Sequence, residues 1–583
     1  MVATWAKHLH SWLIPATDEP SRRSRQFWFW FSLAIALTYS IPVVQEAFSS
    51  PYVVQDDARQ HVFWMRRFMA PGLFPGDAIA DYFQSVAPWG YTLVYRAIIA
   101  LGIDPLTVSK LLPPVLALVT VGFAHELCLQ LIPVPVAGAI ASLLTTQLIW
   151  AHDDIASASP RAFMLPLFLA FLYFLVRRKV VGSISTVVLL GLFYPQYVFV
   201  AAGLLVLRLV GWREGRLRLG DGTRKSWLLS GGGLLAAFLV LLPFALRTSD
   251  YGPIITAEAA RQLPEFLPGG RGNFFTDDPW EFWLVGMRSG LMPTLKPPLM
   301  ILGIFLPLVL RFPRTFPLTQ RLRNLGILWQ LPAVAIALFL AAHALLFRLH
   351  LPSRYSAYTL RFTLIFAAAL TFIVLLDGIL RWLSQPGRSW LPALSRWGAG
   401  GLLTFLLLGY PLYDPDAIDP NYTEGRLPET YAFLAAQPVD TTVASLLRDV
   451  DHFPTFTERS VLVSREYAIP YHVGYADPLR QRIFEVIAAQ YSLTPQLLAQ
   501  TIENYDINFW LIDDDSFDPQ QVQESWIRQY PRVTTGAIAN LNQGTPVLAQ
   551  LALTCGVLEE KGRVLISADC ILKTIGEQTV TLP

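Results

Sequence analysis

The chain has 583 residues, 53% of them hydrophobic and only 15% charged, with a mean hydropathy of +0.42 and a net charge of +2. A water-soluble enzyme carries about a quarter charged residues, so much of this surface must face lipid, and the small net charge gives no argument for a nucleic-acid partner. Three cysteines, Cys128, Cys555 and Cys570, are too few for a disulfide scaffold or a cysteine metal cluster.

A short segment, 1–26, carries Arg22, Arg23 and Arg25 ahead of a first apolar run at 27–44. That run ends in Ile41-Pro42-Val43-Val44 without a small-residue cleavage site, so it reads as a signal anchor. A bilayer core needs roughly 20 apolar residues per helix. Further spans are expected at 106–128, 134–150, 161–176, 227–246, 294–311, 327–347, 356–380 and 397–412. The stretch 182–211 is apolar but broken by Tyr194-Pro195-Gln196, with Arg177, Arg178 and Lys179 before it and Arg213, Arg216 and Arg218 after it. Both ends belong in the cytoplasm, so two short helices should meet near the outer face. The total is about eleven crossings, which makes 27–413 a polytopic α-helical membrane domain.

Basic clusters at Arg22–Arg25, Arg177–Lys179, Arg213–Lys225, Arg311–Arg323 and Arg381–Arg396 fall on alternate connections. The positive-inside rule then places the protein in the plasma or inner membrane with a cytoplasmic N-terminus and everything after 413 outside. The outer connections collect the polar chemistry. The large first one, 45–105, contains Asp56, Asp57, Arg59, His61, Arg66 and Arg67. The second runs His152-Asp153-Asp154 to Pro160-Arg161. The third, 247–293, holds Arg247, Arg261, Arg271 and Arg288, and a fourth holds His350, Arg354 and Tyr355.

From 414 to 583 the long apolar runs stop, and a soluble extracytoplasmic α/β domain is expected. Strands are predicted at Thr442–Leu447, Ser460–Ser464 and Asn508–Ile512, and helices at Arg480–Tyr491, Thr494–Tyr505 and Gln520–Tyr530. No nucleotide loop, GxSxG or HExxH motif occurs there. Asp513-Asp514-Asp515 reads as a solvated loop before it reads as a cation site. Cys555 and Cys570 are a possible extracytoplasmic disulfide.

Two adjacent carboxylates repel, so one of the Asp56-Asp57 pair takes a raised pKa or the two share a cation. Either suits a base acting on an acceptor hydroxyl or amide; the alternative is that the pair caps an outer helix. Asp153 and Asp154 are a second acidic site on the same face, and Asp56, Asp153 and Asp154 are candidate ligands for a divalent cation, Mg2+ or Mn2+. Arg161, Arg354 and Arg361 stand at the outer ends of predicted spans, where an arginine needs a partner. A lipid-linked phosphate is one, since guanidinium binds its oxygens in pairs; snorkelling to headgroups is the other. His61, His152 and His350 have no ligand spacing and read as hydrogen-bonding partners.

This pattern resembles the C-type (GT-C) membrane glycosyltransferases, which include oligosaccharyltransferase catalytic subunits, protein mannosyltransferases and aminoarabinose transferases. The resemblance rests on the acidic pair early in a long first outer loop and the second acidic loop before Ser-Pro-Arg161-Ala-Phe. Gly191-Leu-Phe-Tyr-Pro195 and Pro352-Ser-Arg354-Tyr355 add to it, and as architecture it covers 20–415. It implies a polyprenyl-phosphate sugar donor, an outer active site and inversion at the anomeric carbon, with Asp56, helped by Asp57, as base or metal ligand. The tail lacks Trp-Trp-Asp-Tyr-Gly, against a standard oligosaccharyltransferase, and the Asp-Glu pair of protein mannosyltransferases is Asp-Asp here. The acceptor, glycan, lipid or protein, stays open. The competing readings are a non-catalytic scaffold of the same fold and a lipid or solute transporter; the latter calls for an internal repeat and mid-membrane charges that the sequence does not display.

Overall fold

The computed structural model describes residues 2–213, 216–219, 223–246, 249–385 and 390–580. Arg247 and parts of the basic connections 213–225 and 381–396 lie outside the described residues. Five described helices are long and apolar enough to cross a membrane: Arg22–Ala47, Pro105–Leu131, Arg224–Leu246, Gly326–Ala344 and Ser353–Leu383. Six shorter apolar helices accompany them, Pro135–Trp150, Pro160–Val176, Val180–Phe193, Gln196–Leu209, Pro298–Leu310 and Leu394–Leu408. Their outer faces expose large apolar side chains such as Leu235, Phe238, Leu239, Trp329 and Leu340. A surface of that kind belongs in lipid, and the chain is an integral membrane protein.

Local sequence explains where these helices begin and break. Asp104 caps Pro105–Leu131, accepting from the Leu106 and Thr107 amides at 2.9 and 3.2 Å, and proline opens three helices at Pro105, Pro135 and Pro160. Pro195 pushes Tyr194 out of helical geometry, to φ −149° and ψ 78°, and so divides Val180–Phe193 from Gln196–Leu209. Pro135–Trp150 is buried along its whole length and rich in Ala, Ser, Thr and Gly. Small residues let neighbouring backbones close on it. A Cβ at Gly138 would lie 2.9 Å from the ring of His125, so a side chain there would displace that ring.

One span departs from expectation. Instead of a continuous helix over 294–311, the chain makes a 3-10 stretch, Pro298–Phe305, and a short α turn, Leu306–Leu310. Pro297, Pro298 and Pro307 remove amide donors there. The stretch packs on Ser353–Leu383 through Gly303, where a Cβ would meet the Leu364 carbonyl at 2.6 Å.

After residue 413 a five-stranded mixed sheet forms in the order Ser460–Val461, Thr442–Ala444, Phe509–Asp513, Arg563–Ser567, Gly556–Glu560. The first three strands run parallel, and Arg563–Ser567 runs antiparallel to both of its neighbours. The central strand buries Trp510, Leu511 and Ile512. The three expected strands are present, shortened at two places to Thr442–Ala444 and Ser460–Val461; the hairpin Gly556–Ser567 was not expected. Helix Pro495–Asn504 lies where expected, the helix expected from Arg480 begins earlier, as Val473–Gln490, and 520–530 divides into Pro519–Glu524 and a 3-10 turn, Trp526–Gln529. Cys555 and Cys570 form a disulfide. Asp513 caps the 3-10 turn Asp514–Phe517, accepting from Ser516 Oγ at 2.6 Å.

The sheet region is stitched to one end of the helical bundle. Val53–Gln55 pairs antiparallel with Tyr422–Glu424, Ile254 bridges to His472, and the Tyr82 and Tyr475 rings stack at 3.7 Å. Different contacts mark the opposite end: Arg25 with Glu126, Arg321 with Asp18 at 2.6 Å, and His10 with Asp377 at 2.7 Å.

Candidate active site

Four carboxylates and their counter-charges gather where the first and second acidic connections meet. Asp56 and Asp57 occupy the first turn of the helix Asp56–Val62. The capping explanation for them does not hold, because Gln55 is the cap and its side-chain oxygen accepts from the Ala58 amide at 3.1 Å. Consecutive residues on a helix point about 100° apart, and the two acids take different partners. Asp57 Oδ2 accepts from Arg161 Nη2 at 2.7 Å. Asp56 turns to Arg59, whose guanidinium also lies 3.5 Å from Glu466.

Arg161, one residue into the helix Pro160–Val176, is the hub of the site. Its Nη2 also lies 3.2 Å from Asp153 Oδ1, and its Nε 3.2 Å from Asp154 Oδ1. Asp154 accepts from the Tyr358 hydroxyl at 2.7 Å and lies 3.5 Å from Arg361 Nη1. Arg354 donates to the same Tyr358 oxygen at 3.2 Å. All seven residues singled out in the sequence thus lie in one neighbourhood, but not in the expected grouping. Arg161 and Arg361 are engaged by carboxylates; Arg354 has no carboxylate partner among the described residues.

The four acids are tuned apart. Burial raises Asp154, yet Arg161 and Arg361 outweigh it and hold its carboxyl down at about 2. Burial likewise opposes ionisation of Asp57, and Arg161, Arg354 and Arg271 bring it below the ordinary carboxylate range. Burial pushes Asp56 up, Glu466 adds to that, and Arg59 offsets only part. Asp153 is also raised, by burial and by Asp154 and Asp57. Accessibility separates them too: Asp56, Asp57 and Asp153 keep about a third of their side-chain surface, at 32, 32 and 33%, against 10% for Asp154. Three acids therefore keep an open edge and the fourth is enclosed beneath them. His152 is pushed down to about 4 and His350 to about 3, chiefly by burial, so both are neutral at pH 7.

Two groups that matter here are scattered in sequence. Arg288, known from the sequence only as one charge of the third connection, is brought to the start of Ser353–Leu383 when the Ser353 amide and hydroxyl donate to the Arg288 and Met287 carbonyls at 3.3 and 2.9 Å. It lies within electrostatic reach of Arg271 and Arg354 and has no carboxylate partner among the described residues. Glu466, from the sheet region, joins Arg59 to Arg271, the latter at 3.0 Å. Only contact in three dimensions reveals either role; no local motif marks them.

The expected cation set of Asp56, Asp153 and Asp154 is not brought together, because Asp56 faces Arg59. Among the described residues no three His, Cys, Asp or Glu side chains converge as a metal ligand set. The acids that do converge, Asp57, Asp153 and Asp154, meet on Arg161. A cavity of about 400 Å³ lies apart from these charges, between the third connection and the sheet region, lined by Pro268, Gly269, Gln523, Arg528, Gln529 and Thr534. Its lining contains no acid.

Comparison with solved structures fixes the architecture. An oligosaccharyltransferase from Archaeoglobus fulgidus, solved with a tethered acceptor peptide containing an NVT sequon, superposes with a TM-score of 0.51 at 11% identity, over 89% of this chain and 72% of that one. The chain has the C-type glycosyltransferase fold. The same archaeal enzyme in complex with an inhibitory peptide and a dolichol-phosphate gives 0.48 at 12% identity, over 91% of this chain and 72% of that one. The arabinofuranosyltransferase AftD from Mycobacteria gives 0.45 at 15%, over 86% and 37%. The fold assignment rests on the first of these. No protein-family profile and no curated protein sequence matches the chain.

Proposed function

We propose that this protein transfers a sugar from a polyprenyl-phosphate donor to an acceptor on the extracytoplasmic side, with inversion at the anomeric carbon. The observation that carries the reading is the nearness of partly accessible carboxylates to two arginines, Arg288 and Arg354, that lack acid partners among the described residues. An arginine pair without carboxylates suits phosphate oxygens, and the sequence resemblance to C-type glycosyltransferases implies a lipid-linked donor. Asp56 is the proposed base. Its raised proton affinity suits proton uptake, whereas Asp57 is held ionised and serves electrostatics. The acceptor oxygen or nitrogen attacks the anomeric carbon and passes its proton to Asp56. The bond from that carbon to the phosphate oxygen breaks, and polyprenyl phosphate leaves with the electron pair. Arg288 and Arg354 neutralise the charge growing on the leaving oxygen.

About eleven crossings, a cytoplasmic N-terminus and an outer soluble domain at 414–583 complete the reading. The stitching of the sheet region onto the acidic end supports a shared side, and the Cys555–Cys570 disulfide supports an oxidising one.

The test is release of polyprenyl phosphate by purified protein in proteoliposomes, given a panel of polyprenyl-phosphate hexoses and pentoses. Arg288→Ala and Arg354→Ala should each raise KM for the active donor roughly tenfold to a hundredfold, the worth of a charged hydrogen bond of about 1.5–3 kcal/mol. Variants that leave KM unchanged would remove the phosphate from this position.

A further inference from the structure

We propose that the guanidinium of Arg161 is the resident cation of the acidic cluster, so that this chain holds Asp57, Asp153 and Asp154 together without a divalent metal. The inference does not depend on the transfer reaction, because it is read by ion binding.

The geometry is that of a coordination centre with a side chain in the middle. Carboxylate oxygens of Asp57, Asp153 and Asp154 lie at 2.7, 3.2 and 3.2 Å from Arg161 nitrogens. They come from two separate connections, and no other described residue touches all three. A hard divalent ion would need the same inward oxygens, at about 2.0–2.6 Å, plus further oxygen ligands. The remaining oxygen of Asp154 faces Arg361 at 3.5 Å, and Tyr358 donates to the first at 2.7 Å.

Charge leads to the same conclusion. Arg161 and Arg361 already offset two of the three carboxylate charges. A divalent ion added to that set would reverse the sign of its net charge and sit against two guanidinium groups, which is unfavourable. Arginine does not lose its proton at accessible pH, so this cation cannot be titrated away. Nor is it free to swing out. Arg161 follows Pro160 in the first turn of a buried helix, and only 12% of its side chain is accessible. A lysine would offer one point charge where the guanidinium donates from Nη2 to Asp57 and holds Asp153 and Asp154 at ion-pair distance.

The experiment is Mn2+ titration of the full chain in nanodiscs after exhaustive chelation, followed by electron paramagnetic resonance and by thermal melting. The wild type should show no saturable high-affinity Mn2+ site and no Mn2+-dependent rise in Tm. Arg161→Ala removes the resident cation and frees three carboxylates, so it should gain a site at least roughly tenfold tighter than anything in the wild type. Stoichiometric Mn2+ binding by the wild type, abolished by Asp57→Asn or Asp153→Asn, would overturn the inference. If Arg161→Ala does not fold, Arg161→Lys decides with the wild type. A Lys variant that gains Mn2+-dependent stability where the wild type shows none supports the inference, and Mn2+-dependent melting of the wild type overturns it. Donor turnover, once measured, should survive dialysis against EDTA within about twofold.

Discussion

Asp56→Asn should lower kcat by about 10²–10⁴-fold, the usual worth of a general base, while the protein remains folded and inserted. The substitution keeps a side-chain oxygen for Arg59 and removes only charge and basicity. Helix Asp56–Val62 does not depend on it, since Gln55 supplies the cap. The pH profile carries a second signature. A base works only when deprotonated, so wild-type kcat/KM should rise with pH through the pKa of Asp56. Burial and Glu466 place that limb above the ordinary aspartate value of 3.8. In the Asn variant the acid limb should flatten, a change that a merely structural residue would not produce. Asp57→Asn is the informative comparison. It loses the 2.7 Å contact to Arg161 and should reduce turnover without moving the limb. Full activity in Asp56→Asn, Asp57→Asn and Asp153→Asn alike would favour the non-catalytic scaffold.

Asp154→Ala should destabilise the protein by about 3–5 kcal/mol, the cost of stranding buried charge. Asp154 is the least accessible of the four acids, and its loss would leave Arg161, Arg361 and Tyr358 without their shared acceptor. Asp154→Asn should cost less, because an amide oxygen still accepts from Tyr358. The wild type should show the matching pH dependence. The folded-state pKa is depressed to about 2 from an ordinary 3.8. Its contribution is therefore fully present above about pH 4 and is lost as pH falls through that window toward 2. Thermal melting in detergent between pH 7 and pH 3 should show a smaller acid-induced fall in Asp154→Ala than in the wild type. Equal melting temperatures at pH 7 would contradict the anchoring role.

How much of this the sequence discloses depends on the range of the cause. Lipid imposes long apolar runs, so Arg22–Ala47, Pro105–Leu131 and Ser353–Leu383 are legible within a residue window. Pro195 acts on its own neighbour, so the break at Tyr194 is legible too. The hairpin Gly556–Ser567 has its local signal in Lys561-Gly562: both take positive φ, at 50° and 73°, which two-residue hairpin turns require. The site is legible only in part. Adjacent acids announce a charge problem, but not which one faces the second loop, since that depends on how helix Asp56–Val62 is rotated against Pro160–Val176. Arg288 and Glu466 arrive from distant segments through backbone docking and sheet placement, and nothing beside them in sequence marks them.

The most direct measurement of the central claim is an experimental structure of the protein in a nanodisc with bound polyprenyl phosphate. The account predicts phosphate density between the guanidinium groups of Arg288 and Arg354, with the prenyl chain leaving between membrane helices and the phosphate facing Asp56 and Asp57. Phosphate bound at the opposite end of the bundle, beside Arg321 and Arg381, or bound at the acidic end with Arg288 and Arg354 turned away from it, would contradict that claim.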